Sequence, residues 1–182
     1  VTFPFIRMMA GQVDFTPGAM RNGSRRDWLA SYTKPMSQGT RAHQAATYIV
    51  YDSPFTMLAD TPTSYEAEPA YTSFIAALPT VFDKTKVLQG KIGDFIVTLR
   101  EKDNLYYIGG MTNWDERDLS LNLDFLPGNI QFRASVLSDG INANKNAEDY
   151  KLSRQTVDSS STLNLHLASG GGFVVVLEPM TR

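Results

Sequence analysis

The chain has 182 residues, 42% of them hydrophobic, with 17 basic against 19 acidic side chains and no cysteine. That length makes one ordinary domain or two small ones, and the apolar content suffices for a core and argues against disorder. The near-balanced charge gives no basic footprint for nucleic acid and no polybasic membrane patch, the missing cysteines exclude disulfides, thiol catalysis and zinc–thiolate sites, and no apolar run approaches the ~20 residues that span a bilayer.

The chain opens on Val1 without an initiator methionine, which reads as a processed or truncated start. The first candidate strand, about residues 13 to 15, is odd. Asp14 stands between Val13 and Phe15, where a buried strand would take an apolar residue, and Thr16-Pro17-Gly18 stops the run at once. The stretch around "RNGSRRDW" reads as an exposed loop. Residues 41 to 53 read as a helix, because Ala42, Ala45, Ala46, Ile49 and Val50 recur at three-and-four spacing and form one apolar stripe. Thr40 suits its N-cap, and Asp52-Ser53-Pro54 ends it, since the residue before proline avoids the helical region. "FTMLA" (55 to 59) reads as a short buried strand bounded by Asp60-Thr61-Pro62. Residues 68 to 79 read as a second helix, with Pro69 in its first turn and Tyr71, Phe74, Ile75 and Leu78 on one face. Residues 1 to 83 therefore run β-α-β-α, the order of a parallel sheet with helices outside.

From residue 84 the grammar changes. Short alternating runs at 94–101, 105–113, 119–125, 130–139, 161–168 and 173–179 read as strands, with turns at "EKDN" and "FLPGN" taken as hairpins. "SLNLDF" and "TLNLHL" alternate apolar and polar positions, as an antiparallel sandwich or barrel requires. The Asn-rich stretch 139–151 reads as a long surface loop, and "SGGG" (169–172) as a flexible turn.

The strings "PFIRMMAGQVDFTPGAM", "QGTRAHQAATYIVYDSPFTMLAD" and "SFIAALPTVFDKTKVLQGKIGDFIVTLREKDNLYYIGGMTNWDERDLSLNLDFL", in that order, resemble the C-terminal third of glycoside hydrolase family 97. These are α-glucosidases and α-galactosidases. The resemblance covers nearly the whole chain and loosens after about residue 139. It implies a fold of α/β plus all-β type: residues 1–83 as the last two β-α units of a (β/α)8 catalytic barrel, and residues 84–182 as a C-terminal antiparallel β-sandwich domain. It also implies a parent enzyme that cleaves terminal α-linked glucose or galactose in the periplasm or at the cell surface. Family members hold calcium on glutamates near the substrate, and some invert while others retain. The general acid, the base or nucleophile and the calcium ligands all fall upstream in the family. No catalytic or metal-binding residue is therefore expected in this chain, which would be inactive alone and partnered by the rest of the same polypeptide.

Four residues stand as candidates for touching an α-linked oligosaccharide: Asp14, Asp60, Arg7 and Trp28. Asp14 and Asp60 each end a candidate strand before a turn, and polar residues at the C-terminal strand ends of a barrel face its active site. Aspartate before Thr-Pro is equally a turn and capping residue. Arg7 either pairs with an upstream carboxylate or satisfies a helix end, and Trp28 sits in a loop able to enclose substrate. Glu66 and Glu68 suit the start of a helix, His43 a cap or packing role, and His166 an outward strand position. Two other readings stay open. One is a carbohydrate-binding or structural module with Tyr106, Tyr107 and Trp114 aligned outward; the other is a stand-alone hydrolase using Asp14 and Asp60.

Overall fold

Backbone grammar decides the architecture half by half, and a computed structural model describes it for residues 1–180. In chain order there are a short helix α1 (Phe3–Ile6) running into a 3-10 turn (Arg7–Ala10), and two three-residue strands β1 (Arg21–Gly23) and β2 (Met36–Gln38). Helices α2 (Arg41–Val50), α3 (Pro62–Glu66) and α4 (Pro69–Ala76) follow. Eight strands complete the chain: β3 (Lys84–Lys91), β4 (Phe95–Lys102), β5 (Leu105–Thr112), β6 (Arg117–Asn122), β7 (Phe132–Asp139), β8 (Tyr150–Val157), β9 (Thr162–Leu167) and β10 (Gly172–Pro179).

Six strands form one antiparallel sheet in the order β3-β4-β5-β10-β7-β8, and β6 pairs with β9 as a separate two-stranded layer. Period-2 alternation divides the side chains between the two faces. Val97, Leu99, Ile108, Val136, Phe173 and Val175 meet the β6–β9 layer, which contributes Leu121, Leu163, Leu165 and Leu167. The opposite face, with Ile96, Met111, Leu137 and Val174, receives α2 and α4. The mostly β, antiparallel character read from residues 84 onward is thus present.

Consecutive glycines let both layers close. A Cβ at Gly109 would stand 2.7 Å from Ile49 Cβ of α2, and one at Gly110 would overlap the Phe173 ring on the other side. The "IGG" of β5 therefore admits a helix on one face and an aromatic ring on the other. The β4–β5 turn has Asp103 and Asn104 both at positive φ, the backbone that a two-residue hairpin requires.

Several expectations need correction. The candidate strands at 13–15 and 55–59 do not form a sheet; they share one parallel bridge, Phe15 with Thr56. Val13 N donates to the Asp52 carbonyl (3.0 Å) and Ala59 N to that of Pro17 (2.9 Å). The barrel units expected over residues 1–83 are accordingly not displayed as strands, because among the described residues each extended segment bridges only the other. Nor is "FTMLA" buried, since Phe55, Met57 and Leu58 are all more than half exposed. The turn 125–129 is no hairpin. It carries the chain from β6 to β7, which belong to different sheets. α1, β1, β2, α3, β3 and β8 have no counterpart in the sequence reading: β1 lies in the stretch read as an exposed loop, where Asn22 and Gly23 are in fact buried, and β3 and β8 are sheet edges rich in polar residues, where alternation is masked.

Candidate functional site

The helix that leads into the sandwich is fastened at both ends. Thr40 caps α2, its Oγ1 accepting from His43 N (3.0 Å), as an N-cap threonine does. The same hydroxyl donates to Asp139 Oδ1 at 2.5 Å. Asp139 Oδ2 in turn accepts from Ala168 N (2.9 Å) and Gly172 N (3.0 Å), so one carboxylate joins the helix start to both flanks of the β9–β10 turn. His43 Nδ1 lies 3.1 Å from the Gly171 carbonyl and donates to it as the neutral tautomer. At the far end, Arg100 Nε donates to the Ile49 carbonyl (3.0 Å) and its Nη1 to Thr85 Oγ1 (2.5 Å).

Burial shifts both titratable groups of the first junction. It raises Asp139 to about 6 against the bonds from Thr40, Ala168 and Gly172, which lower it. It lowers His43 to about 4. The two act on stability with opposite sign. A raised carboxyl stabilises the fold below its unfolded value near 3.8, and this is lost as pH climbs to about 6. A depressed imidazole penalises the fold below about 4 and ceases to do so above its unfolded value of 6.5. Between pH 4 and 6 they offset each other. Asp139→Asn should therefore expose the histidine: stability by urea unfolding is expected to rise by about 2 kcal/mol from pH 4 to 6.5, more steeply than in the native chain.

A second cluster sits beside the first. Arg41 is buried, its side chain 3% exposed, with Nη1 2.9 Å from Glu68 Oε1 and Nη2 3.6 Å from Glu148 Oε2. Nη2 also donates to the Met20 carbonyl at 2.6 Å, and the guanidinium lies 5.5 and 5.7 Å from the Tyr71 and Tyr150 ring centroids. The Met20 peptide is held from its other side by Asp60, whose Oδ2 accepts Met20 N at 2.9 Å.

The four candidate residues lie apart in role. Asp60 is half-buried and anchors backbone through Met20 N and Thr61 N (2.8 Å); burial raises its pKa but these bonds outweigh it and hold it below the usual value. Asp14 is exposed, on the side of its segment opposite buried Val13, and makes no hydrogen bond or ion pair among the described residues. The two are not at equivalent strand ends: in the register of the Phe15–Thr56 bridge, Asp14 precedes its bridge residue by one position and Asp60 follows its own by four. Arg7 is exposed on the 3-10 turn. Trp28 is half-buried and donates from Nε1 to the Met36 carbonyl (2.9 Å). Tyr106 and Tyr107 point to opposite faces of β5, toward Phe132 and Phe82 respectively, so no single platform contains both. Among the described residues no group of three or more His, Asp or Glu side chains is placed to hold a metal ion.

Sequence reading missed Asp139, Arg41, Glu148 and Arg100. The available signal was Thr40-Arg41 at a helix start, which marks the cap but not that the arginine turns inward.

The family described as "Glycosyl-hydrolase 97 C-terminal, oligomerisation" matches residues 81–178, from just before β3 almost to the end of β10. The chain belongs to glycoside hydrolase family 97. This family 97 chain is 46% identical over 178 residues to the retaining alpha-galactosidase of Bacteroides thetaiotaomicron, a match covering 98% of this chain and 27% of that protein. A solved family 97 enzyme from Pseudoalteromonas sp. strain K8, in complex with panose, superposes with a TM-score of 0.87 at 35% identity, over 99% of this chain and 28% of that one. A beta-arabinopyranosidase shares the fold at a TM-score of 0.75 and 20% identity. The family 97 chain thus spans about a quarter of the length of these relatives.

Proposed function

We propose that this chain is the C-terminal part of a glycosidase that cleaves terminal α-linked galactose, with α-linked glucose as the second candidate, and that its sandwich mediates oligomerisation. The observation that carries the reading is the 46% identity to a retaining alpha-galactosidase, sustained over 98% of the chain. In this reading the segments 13–15 and 55–59 are the last two barrel strands, joined by α2 as an outer crossover helix. Their parallel bridge supports it, since parallel neighbours need such a crossover. So does the exposed row Phe55, Met57 and Leu58, an apolar surface suited to the preceding part of the same polypeptide. Asp14, exposed opposite Val13, would face the barrel interior and hydrogen-bond sugar hydroxyls; Arg7 and Trp28 would border the same cavity, while Asp60 shapes its rim. Retention needs two carboxyl groups about 5 to 5.5 Å apart across the scissile bond. Both would come from the preceding part, as would the calcium ligands. A periplasmic or cell-surface place of action completes the reading.

The experiment is release of p-nitrophenol from α-galactoside and α-glucoside substrates, with and without calcium. The isolated chain is expected to be silent, and the longer polypeptide to turn over the galactoside faster. Turnover by the isolated chain that is abolished by Asp14→Asn would overturn the proposal in favour of a self-contained hydrolase.

A further inference from the structure

The oligomerisation reading leaves the docking surface unassigned, and any assignment of that surface rests on the reading itself. The helices cover only part of their face of the six-stranded sheet. Beyond α4 the face is open, and a groove of about 700 Å³ runs between α4 and strands β5, β10, β7 and β8. Tyr107 and Val176 form its floor, Phe74 its helix wall and Leu152 of β8 its outer lip; Leu152 is 39% exposed. Two charges of opposite sign stand in it, Arg154 and Glu178. Glu178 is paired with Arg133. Arg154 enters no ion pair among the described residues.

The sheet's two edges differ in the same direction. The β3 edge carries Lys84, Lys86 and Lys91, and its pairing with β4 shifts register between Val87 and Gln89. Lysines and bulges are what natural edges use to repel a further strand. The β8 edge carries one lysine, Lys151, against three on β3, pairs with β7 without interruption over eight residues and has no bulge. It also supplies the lip of the groove, so groove and free edge make one continuous surface. That surface lies, apart from α4, within residues 81–178, which match the family described by oligomerisation.

We propose that a second copy of this chain docks on the β8 side, filling the groove between α4 and β8 across a twofold axis. A twofold contact is self-complementary, each copy offering the same patch. A patch that holds both an unpaired cation and a carboxylate meets that requirement, since Arg154 of one copy can reach Glu178 of the other. Ala70 and Ser73 of α4 and Ala77 just past its end keep the wall low enough for a neighbouring backbone to approach.

The test is mass by light scattering together with disulfide trapping, on the 20.2 kDa chain and on the longer polypeptide. The chain has no cysteine, so Leu152→Cys introduces a single thiol at the lip. Ile92→Cys, in the turn at the opposite edge, is the control. A dimer is expected, with covalent trapping through the Leu152→Cys variant and none through the control. Leu152→Lys, which sets a second cation beside Arg154, should weaken the dimer about tenfold or more. Position 152 is a partly exposed edge site, so neither change threatens the core. A native chain that stays monomeric at every attainable concentration would remove the oligomerisation reading itself. A native dimer that tolerates Leu152→Lys and resists trapping at 152 would leave that reading intact and overturn only the location. Protection of β8 amides in a longer polypeptide that remains monomeric would show the groove covered from within one molecule, which also overturns the proposal.

Discussion

Asp139→Ala is expected to destabilise the chain by about 3 kcal/mol, a drop of roughly 10 °C in the unfolding midpoint for a domain of this size. The carboxylate accepts from the Thr40 hydroxyl and from two backbone N–H groups, those of Ala168 and Gly172. Alanine leaves those two amides facing an interior with no acceptor. An unsatisfied buried donor costs about 1–3 kcal/mol, well above the ordinary net worth of a hydrogen bond. Collapse cannot refill the space easily. A Cβ at Gly171 would overlap the Asp139 carboxylate, so the turn is already folded tightly over the group it binds. Asp139→Asn keeps one acceptor for the two amides and turns its NH2 toward Thr40, and should cost only about 1 kcal/mol at neutral pH. Urea unfolding of the three proteins checks this. An alanine variant as stable as the asparagine one would mean that water satisfies the amides and that Asp139 is no fastener.

That prediction concerns a residue the sequence did not disclose, for a physical reason. Helix α2 was legible because five apolar side chains repeat on one stripe and Thr40 precedes them. All of that is local. The sandwich strands were legible where one face is buried, as in β9, whose leucines alternate with Asn164 and His166. They were not legible at the edges, where β3 and β8 carry polar residues on both faces. The partner of Asp139 lies 99 positions away, and nothing in "VLSDG" distinguishes an aspartate that turns inward from one that turns to solvent. Asp14 and Asp60 show the converse failure. Their local contexts look alike, and sequence reading placed them at matching strand ends. Pairing register, which depends on the parallel bridge alone, sets them several positions apart and gives Asp60 a backbone to hold, while the Asp14 side chain has no partner among the described residues. The family resemblance was carried by ordered motifs and so survived these local errors.

Arg41 gives the second large effect: Arg41→Ala is expected to cost about 3 kcal/mol, with Arg41→Lys recovering less than half. The usual penalty for orphaning a buried ion pair, about 3–5 kcal/mol, applies only in part. Glu68 and Glu148 are 39% and 41% exposed at the side chain and would rehydrate once the cation left, so their loss is discounted for solvent screening. What remains is local to the guanidinium. The Met20 carbonyl loses its 2.6 Å donor, the rings of Tyr71 and Tyr150 lose a cation worth about 1 kcal/mol between them, and the vacated volume is walled by side chains that cannot all follow. Lysine places one ammonium where a planar fork had reached the carbonyl and a carboxylate together, so it cannot serve both. The damage should be regional. Arg41 ties the segment around Met20 to the start of α4 and to Glu148, and Met20 is three residues past the Thr16-Pro17 turn that follows Asp14. Hydrogen exchange is therefore expected to quicken at Met20 and at Tyr150 while the amides of β4 and β5 stay protected. Uniform quickening over all strands would instead make Arg41 part of the global core. Under the function proposed above, the same change in the longer polypeptide should lower turnover of the galactoside, because the segment proposed to carry Asp14 into the substrate cavity would no longer be held, although no reacting group has been touched.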